Sequence, residues 1–157
     1  MAYCSIPMKT ALPKGAAAAV SSASLQLLLN ELVSVLPSLT DGNKIHVENE
    51  IPGDILVQSD QDLVMPVIQD LLTTVVNNAR NTCISISAEK FRDVVTLHVV
   101  DRNNYNGYAL SFGLLSVGRH ARLIGGDICV RDVQKKVARV SLSFPDIPGR
   151  KIWPFEA

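Results

Sequence analysis

The segment from Ser59 to Ala79 constrains this chain more than any other. Val64, Val67, Ile68, Leu71, Leu72, Val75, Val76 and Ala79 recur at three- and four-residue spacing, which makes them one apolar face of a helix. Asp70, Thr73, Thr74, Asn77 and Asn78 fall on the other side, where Asp70, Thr74 and Asn78 stack as successive i, i+4 neighbours. Ser59 with Asp62 reads as a capping box at the start. Pro66 has no N–H to donate, so it either kinks the helix or opens its main part. A helix with so continuous an apolar stripe must bury it against a second layer.

The flanking sequence supplies that layer. Upstream, Leu25, Leu28, Leu29, Leu32 and Leu36 mark a shorter helix that Pro37 ends. Lys44 to Asn49 alternates as a half-buried strand behind an Asp41-Gly42 turn, and Ile55 with Val57 forms a second, short extended piece. Downstream, Ile84, Ile86 and Ala88, then Val95, Leu97 and Val99, alternate as the strands of a hairpin with 89–93 as its polar link. Asp101 closes the second strand, and a loop rich in Asn and Gly follows. A helix is expected from Ser111 to Ile124, stopped by Gly125-Gly126. Strands at 127–131 and 136–144 complete the order. Helices separated by antiparallel pairs imply an α+β fold with helices on one face of a sheet. The expected organisation is a weakly structured leader over 1–21, one domain over 22–145 and an irregular tail over 146–157. In that tail Trp153-Pro-Phe155 is apolar enough to dock into a groove.

Of the 157 residues, 15 are Lys or Arg and 15 are Asp or Glu, a net charge of +0. That balance provides no overall field to draw in nucleic acid or an anionic membrane. With 47% hydrophobic residues, intrinsic disorder is excluded. The longest uncharged apolar stretch, Gly15 to Asn30, is too broken by serines and Gln26 to span a bilayer. Lys9 and Lys14 ahead of Ala16 to Val20 imitate a signal peptide, but the run is short and Pro13 and Gly15 interrupt it. Cys4, Cys83 and Cys129 are odd in number and far apart, and so offer neither a zinc site nor a disulfide framework. A reducing cytoplasm is expected, with Cys83 and Cys129 as small buried residues.

Asn77-Asn78-Ala79 ends the long amphipathic helix, and a hairpin ending in Asp101 follows. Next come Ser111-Phe-Gly-Leu114 and Leu123-Ile-Gly-Gly-Asp-Ile128. In this order and spacing the sequence resembles the ATP-binding domain of sensor histidine kinases, a branch of the GHKL ATPases. The resemblance covers about Ser22 to Phe144. It implies an α/β two-layer sandwich, a mixed sheet with helices on one face. It further implies that the Asn78 side-chain oxygen holds Mg²⁺ on the nucleotide phosphates, and that Asp101 accepts the adenine amino group. Asn103, Ser111 and Gly113 match positions of the family's glycine segments, with Gly113 at a helix N-terminus that favours an anion. Arg80 is within reach of a phosphate, since Asn81 stands where the family carries Lys. The implied cofactor is ATP or ADP with Mg²⁺.

The chain also departs from the family. Asn103 and Tyr105 replace two glycines after Asp101; Asn tolerates a left-handed backbone and is expected to keep the turn, whereas Tyr is not suited to it. Ser111 replaces another glycine, and between Asp101 and Ser111 there is no room for the ATP lid. Thr74 stands where relatives carry Asn or a water-activating Glu, and it cannot serve as a general base. His46, His98 and His120 lie outside the Ser22 to Leu36 helix and read as structural or solvent-facing, not as phospho-acceptors. No catalytic residue is assigned. Residue by residue, Asn78 also suits a solvated helix face and Asp101 a turn. Tyr105 and Tyr108 suit a partner contact or packing, and Arg119, Arg122, Lys135 and Lys136 suit a basic patch or a solvated surface.

The leading expectation is a degenerate histidine-kinase-type ATP-binding domain in bacterial two-component signalling. It would act mainly through protein contacts, with weak or no nucleotide binding and no cofactor in the limiting case. Its partner would be a kinase dimerisation domain or a response regulator. A second reading is a competent ATP-binding half that phosphorylates a His on a partner chain, and a third is a phosphotransfer protein with an ATPase-like domain.

Overall fold

The computed structural model describes residues 22–36 and 42–148. Strand β1 (Ala23–Ser24) leads directly into helix α1 (Leu25–Ser34), followed by β2 (Ile45–Asn49), β3 (Leu56–Val57) and helix α2 (Gln61–Asn77). Then come β4 (Thr82–Phe91), β5 (Val94–Asp101), helix α3 (Gly107–Leu123), β6 (Asp127–Arg131) and β7 (Ala138–Pro145). β1 and β3 pair as a small separate sheet, and the other strands form a five-stranded sheet in the order β2-β4-β5-β7-β6. β2 runs parallel to β4, with α2 in the connection between them, and the remaining pairs are antiparallel.

Strand period decides which side chains meet the helices. Ile84, Ile86, Val95, Leu97, Val99, Val140, Leu142 and Phe144 face one core with Leu25 and Leu29 of α1 and the whole predicted apolar face of α2. Leu110, Leu114, Val117 and Ala121 of α3 complete it. The opposite face of the sheet is polar: Thr96 Oγ1 and Ser143 Oγ lie 3.2 Å apart, and His98 Nδ1 and Ser141 Oγ 2.9 Å apart. Helices thus cover one face, the two-layer mixed-sheet sandwich that the sequence predicts.

Several local expectations are corrected. The N-cap of α2 is Asp60, whose side chain accepts the Asp62 N–H at 2.9 Å, not Ser59. Ser59 instead donates its hydroxyl to buried Asp146 at 2.6 Å. Pro66 sits inside α2 without ending it. The hairpin strands run on through 89–91, so the link shrinks to Arg92-Asp93, with Arg92 in the left-handed region at φ 56°. α3 begins at Gly107, four residues earlier than expected, because Asn106 Oδ1 accepts the Ala109 N–H at 3.1 Å and caps it. It stops where expected, with Gly125 at φ 79°.

Cys83 is half-buried and Cys129 exposed, against the expectation of two buried thiols. On edge strand β6, Ile128 and Val130 pack on the core, so the alternation turns Cys129 to the open face. The leader over 1–21, Cys4 and the Trp153-Pro-Phe155 segment lie outside the described residues. Among the described residues no helix is long and apolar enough to cross a membrane.

Candidate functional site

Asp101 ends β5, paired across to Ile84 on β4 and Ala138 on β7, and is buried at 2% exposure. Its Oδ1 accepts the Thr82 hydroxyl at 2.7 Å and the Asn103 N–H at 3.1 Å. The second bond closes a turn of the kind Asp favours at a strand end. Asn103 does hold this turn, but not by a left-handed backbone, since among the described residues the positive-φ ones other than glycine are Lys44, Asn81, Arg92 and Asp132. It holds by its side chain, whose Nδ2 donates to the Asn81 carbonyl at 3.0 Å. The left-handed residue is Asn81 at φ 51°, which gives the position expected to carry Lys a conformational reason to be Asn.

Asn78 is the C-cap of α2, and its Nδ2 donates back to the Thr74 carbonyl at 2.8 Å. That bond leaves Oδ1 as the arm of the amide available to a hard cation. Among the described residues no group of three or more His, Cys, Asp or Glu could hold a metal by itself. Gly113 faces these same residues from α3: a Cβ there would stand 3.0 Å from Thr74 Cγ2 and 3.5 Å from Asn78 Nδ2. Lower on the two helices, His120 Nδ1 meets Asp70 Oδ2 at 2.9 Å. α2 and α3 are therefore packed antiparallel, with Gly113 as the small residue at their close approach.

The early start of α3 changes what Ser111 and Gly113 can do. Only the first turn of a helix has free N–H groups, and both residues lie beyond it, so Gly113 is not at a helix N-terminus as expected. Residues two positions apart on a helix, as these are, also point about 200° away from each other. Gly113 accordingly turns to α2, whereas Ser111 lines two clefts on the outer side of α3, of about 570 and 590 Å³. Neither cleft is lined by Asn78, Asp101 or Gly113. Arg80 is engaged as well: its guanidinium lies 5.1 Å from the centroid of the Tyr105 ring.

The structure therefore gathers Asp101 and Asn103 with Thr82 and Asn81, and gathers Asn78 with Thr74 and Gly113, while Ser111 stands apart. Thr82 is the partner that sequence reasoning missed, and the contacts of Asn81 with Asn103 and of Tyr105 with Arg80 are what it did not foresee. A Thr at a strand start carries no local sign that its hydroxyl will fix a carboxylate nineteen positions on. Burial and the Glu48 carboxylate push up the thiol pKa of Cys83, next to Thr82, which lowers its thiolate fraction.

A scan against protein-family models finds no match to the chain, and a search of curated proteins finds none. Among solved structures it is similar to the histidine kinase AdeS of Acinetobacter baumannii, with a TM-score of 0.65 and 14% identity over 81% of this chain and 68% of that one. It is also similar to the nucleotide-free catalytic domain of the histidine kinase ThkA, at 0.66 and 18% identity over 83% and 98%. ThkA in complex with the response regulator TrrA matches at 0.59 and 16% identity over 83% and 43%. The chain has the fold of a histidine kinase catalytic domain.

Proposed function

We propose that the chain is a degenerate histidine-kinase-type ATP-binding domain, working in two-component signalling mainly through protein contacts and binding nucleotide weakly or not at all. The fold supports the kinase-type domain. The observation that carries the degenerate reading is the connection between β5 and α3, which is only residues 102–106. It lies down on the end of α2 through Asn103 on Asn81 and Tyr105 on Arg80. Such a connection is too short to fold over a triphosphate.

Phosphoryl transfer depends on positioning and charge stabilisation, and this site is poor in both. Arg80 is stacked on Tyr105, and the Gly113 N–H is inside α3. The base end is better kept, because Asp101 is buried and oriented by Thr82. The residues present thus fit an adenine and, at Asn78 Oδ1, a cation carried in by the nucleotide, but not the phosphates between them. ATP or ADP with Mg²⁺, when bound, would supply the phosphoryl group. This chain would contribute Asp101 to the base and Asn78 to the cation, with Asn103 holding the turn. Ser111, Gly113 and Arg80 drop out of direct contact in this reading.

The partner is a kinase dimerisation domain or a response regulator, a choice supported by the TrrA complex of ThkA. A cytoplasmic setting follows from that role. The survival of Asn78 and Asp101 favours a second reading, a competent half that phosphorylates a partner's His. The phosphotransfer reading ranks last, since His46 and His98 lie on strands and His120 is paired with Asp70.

Calorimetric titration of the whole chain with Mg-ATP and Mg-ADP, repeated on Asn78→Ala and Asp101→Asn, tests this. No saturable binding tighter than about 1 mM is expected. Micromolar binding abolished by both substitutions would overturn the degenerate reading in favour of the competent one.

A further inference from the structure

Helix α3 buries its inner face but turns Tyr108, Phe112 and Leu115 to solvent at 92%, 79% and 58% exposure. Their i, i+4, i+7 spacing makes one stripe, which Arg119 continues. Single exposed hydrophobics are ordinary, but a contiguous row of large ones marks an interaction site. The stripe adjoins a groove. Between Tyr108 and Ser111 on one side and Lys135 and Lys136 on the other lies a groove, which opens onto the exposed apolar surface of α3 along Phe112 and Leu115. Gly107 lets the 133–136 wall stand close, since a Cβ there would collide with the Val133 carbonyl.

Cations outnumber carboxylates around the groove. α3 contains no Asp or Glu, and it exposes Arg119, His120 and Arg122. His120 is matched by Asp70, and Asp132 faces Lys135 and Arg139 at 3.5 and 4.0 Å. Arg119 and Lys136 have no carboxylate among the described residues. A second copy of the chain would bring these cations against themselves. The chain's own tail suits the groove no better. It leaves β7 at Asp146, bonded to Gln58, Ser59 and Lys90 at the opposite end of that strand from the 133–136 wall, and its sequence continues through Arg150 and Lys151, of the same sign as the groove.

From this we infer that the groove docks an amphipathic helix of a partner protein. Apolar side chains of that helix at i, i+4 and i+7 lie along Tyr108, Phe112 and Leu115, and its carboxylates meet Arg119 and Lys136. The inference rests on the reading of the domain as one that works through protein contacts, and it holds whether or not nucleotide binds.

The test uses the full ¹⁵N-labelled chain and a designed helical peptide with Leu at i, i+4 and i+7 and Glu beside them, against the same peptide with Lys for every Glu. The Glu peptide should shift amide signals of α3 and of 133–136, and the Lys peptide should not. Phe112→Ser and Arg119→Glu should each weaken binding by about tenfold, or about 1.4 kcal/mol, and added salt should weaken it further. Both residues are exposed, so circular dichroism should report an intact fold in each variant. Equal binding of the two peptides, or shifts elsewhere on the surface, would overturn the inference. So would sedimentation of a dimer that Phe112→Ser dissolves, or Trp153→Ala shifting the Phe112 signal, since the groove would then hold a second copy or the chain's own tail. Repeating the titration with Mg-ATP separates the two questions, because a chain that binds nucleotide tightly and still takes the Glu peptide refutes only the degenerate site.

Discussion

A carboxylate as buried as Asp146, at 1% exposure, persists only when its lone pairs are filled. Asp146 accepts the N–H groups of Gln58 and Ser59, the Ser59 hydroxyl and the Lys90 ammonium at 2.8 Å. These bonds tie the chain after β7 to the entry of α2. Burial by itself pushes the Asp146 pKa up, but the bonds from Lys90, Ser59 and Gln58 outweigh it and hold the group below its ordinary value of 3.8. A carboxyl that binds its proton less readily folded than unfolded stabilises fully above its unfolded pKa, and that contribution is lost as pH falls toward the folded one. Asp146→Asn, which leaves Lys90 facing an amide, should therefore cost about 3 kcal/mol near neutral pH. Urea unfolding of both proteins at neutral pH and again well below the ordinary Asp pKa should show the gap closing in acid; an unchanged gap would refute the assignment.

Between elements, the close approach of α2 and α3 sets both packing and site. A glycine inside a helix costs about 1 kcal/mol against alanine, and at Gly113 the contact with Thr74 accounts for it. Gly113→Val should lower stability by about 2 kcal/mol through overpacking. Gly113→Ala should change sign with its neighbour: close to neutral in the native chain, and stabilising by up to about 1 kcal/mol once Thr74→Ser has removed the facing methyl. Thermal unfolding of the four proteins of that cycle measures the coupling, and strict additivity would show that the Thr74 methyl is not the contact. The His120–Asp70 pair on the same two helices is half-exposed and contributes little.

For the whole molecule, strand order predicts where the fold opens first. β4, β5 and β7 are each flanked by strands on both sides and covered by helices on one face, whereas β2 and β6 are edges. Amide exchange should be slowest in β4, β5 and β7 and in the buried turns of α2, and faster by at least about tenfold on the outer side of β6. Equal protection of β6 and β5 would mean that something covers this edge in solution. The same layout explains how a fold can be shared at 14% and 18% identity. Its requirements are an apolar helix stripe and alternating strands, which many side-chain sets satisfy.

Much of that layout is written in the sequence, because it rests on neighbours two to four positions apart. The α2 stripe from Val64 to Ala79, the inward sets Ile84, Ile86, Ala88 and Val95, Leu97, Val99, and the Gly125-Gly126 stop all read directly from period and turn chemistry. So did the placing of Asn78 at a helix end and Asp101 at a strand end. One local signal was read past: Asn106 caps α3 three residues ahead of Ala109, which took Gly113 out of the first turn. Tertiary structure alone decided how those positions relate. Thr82 came to orient Asp101, Asn81 to hold Asn103, and Arg80 to stack on Tyr105, across 19, 22 and 25 positions. Contacts at such separations follow from strand register and helix docking, and no local pattern of residues announces them.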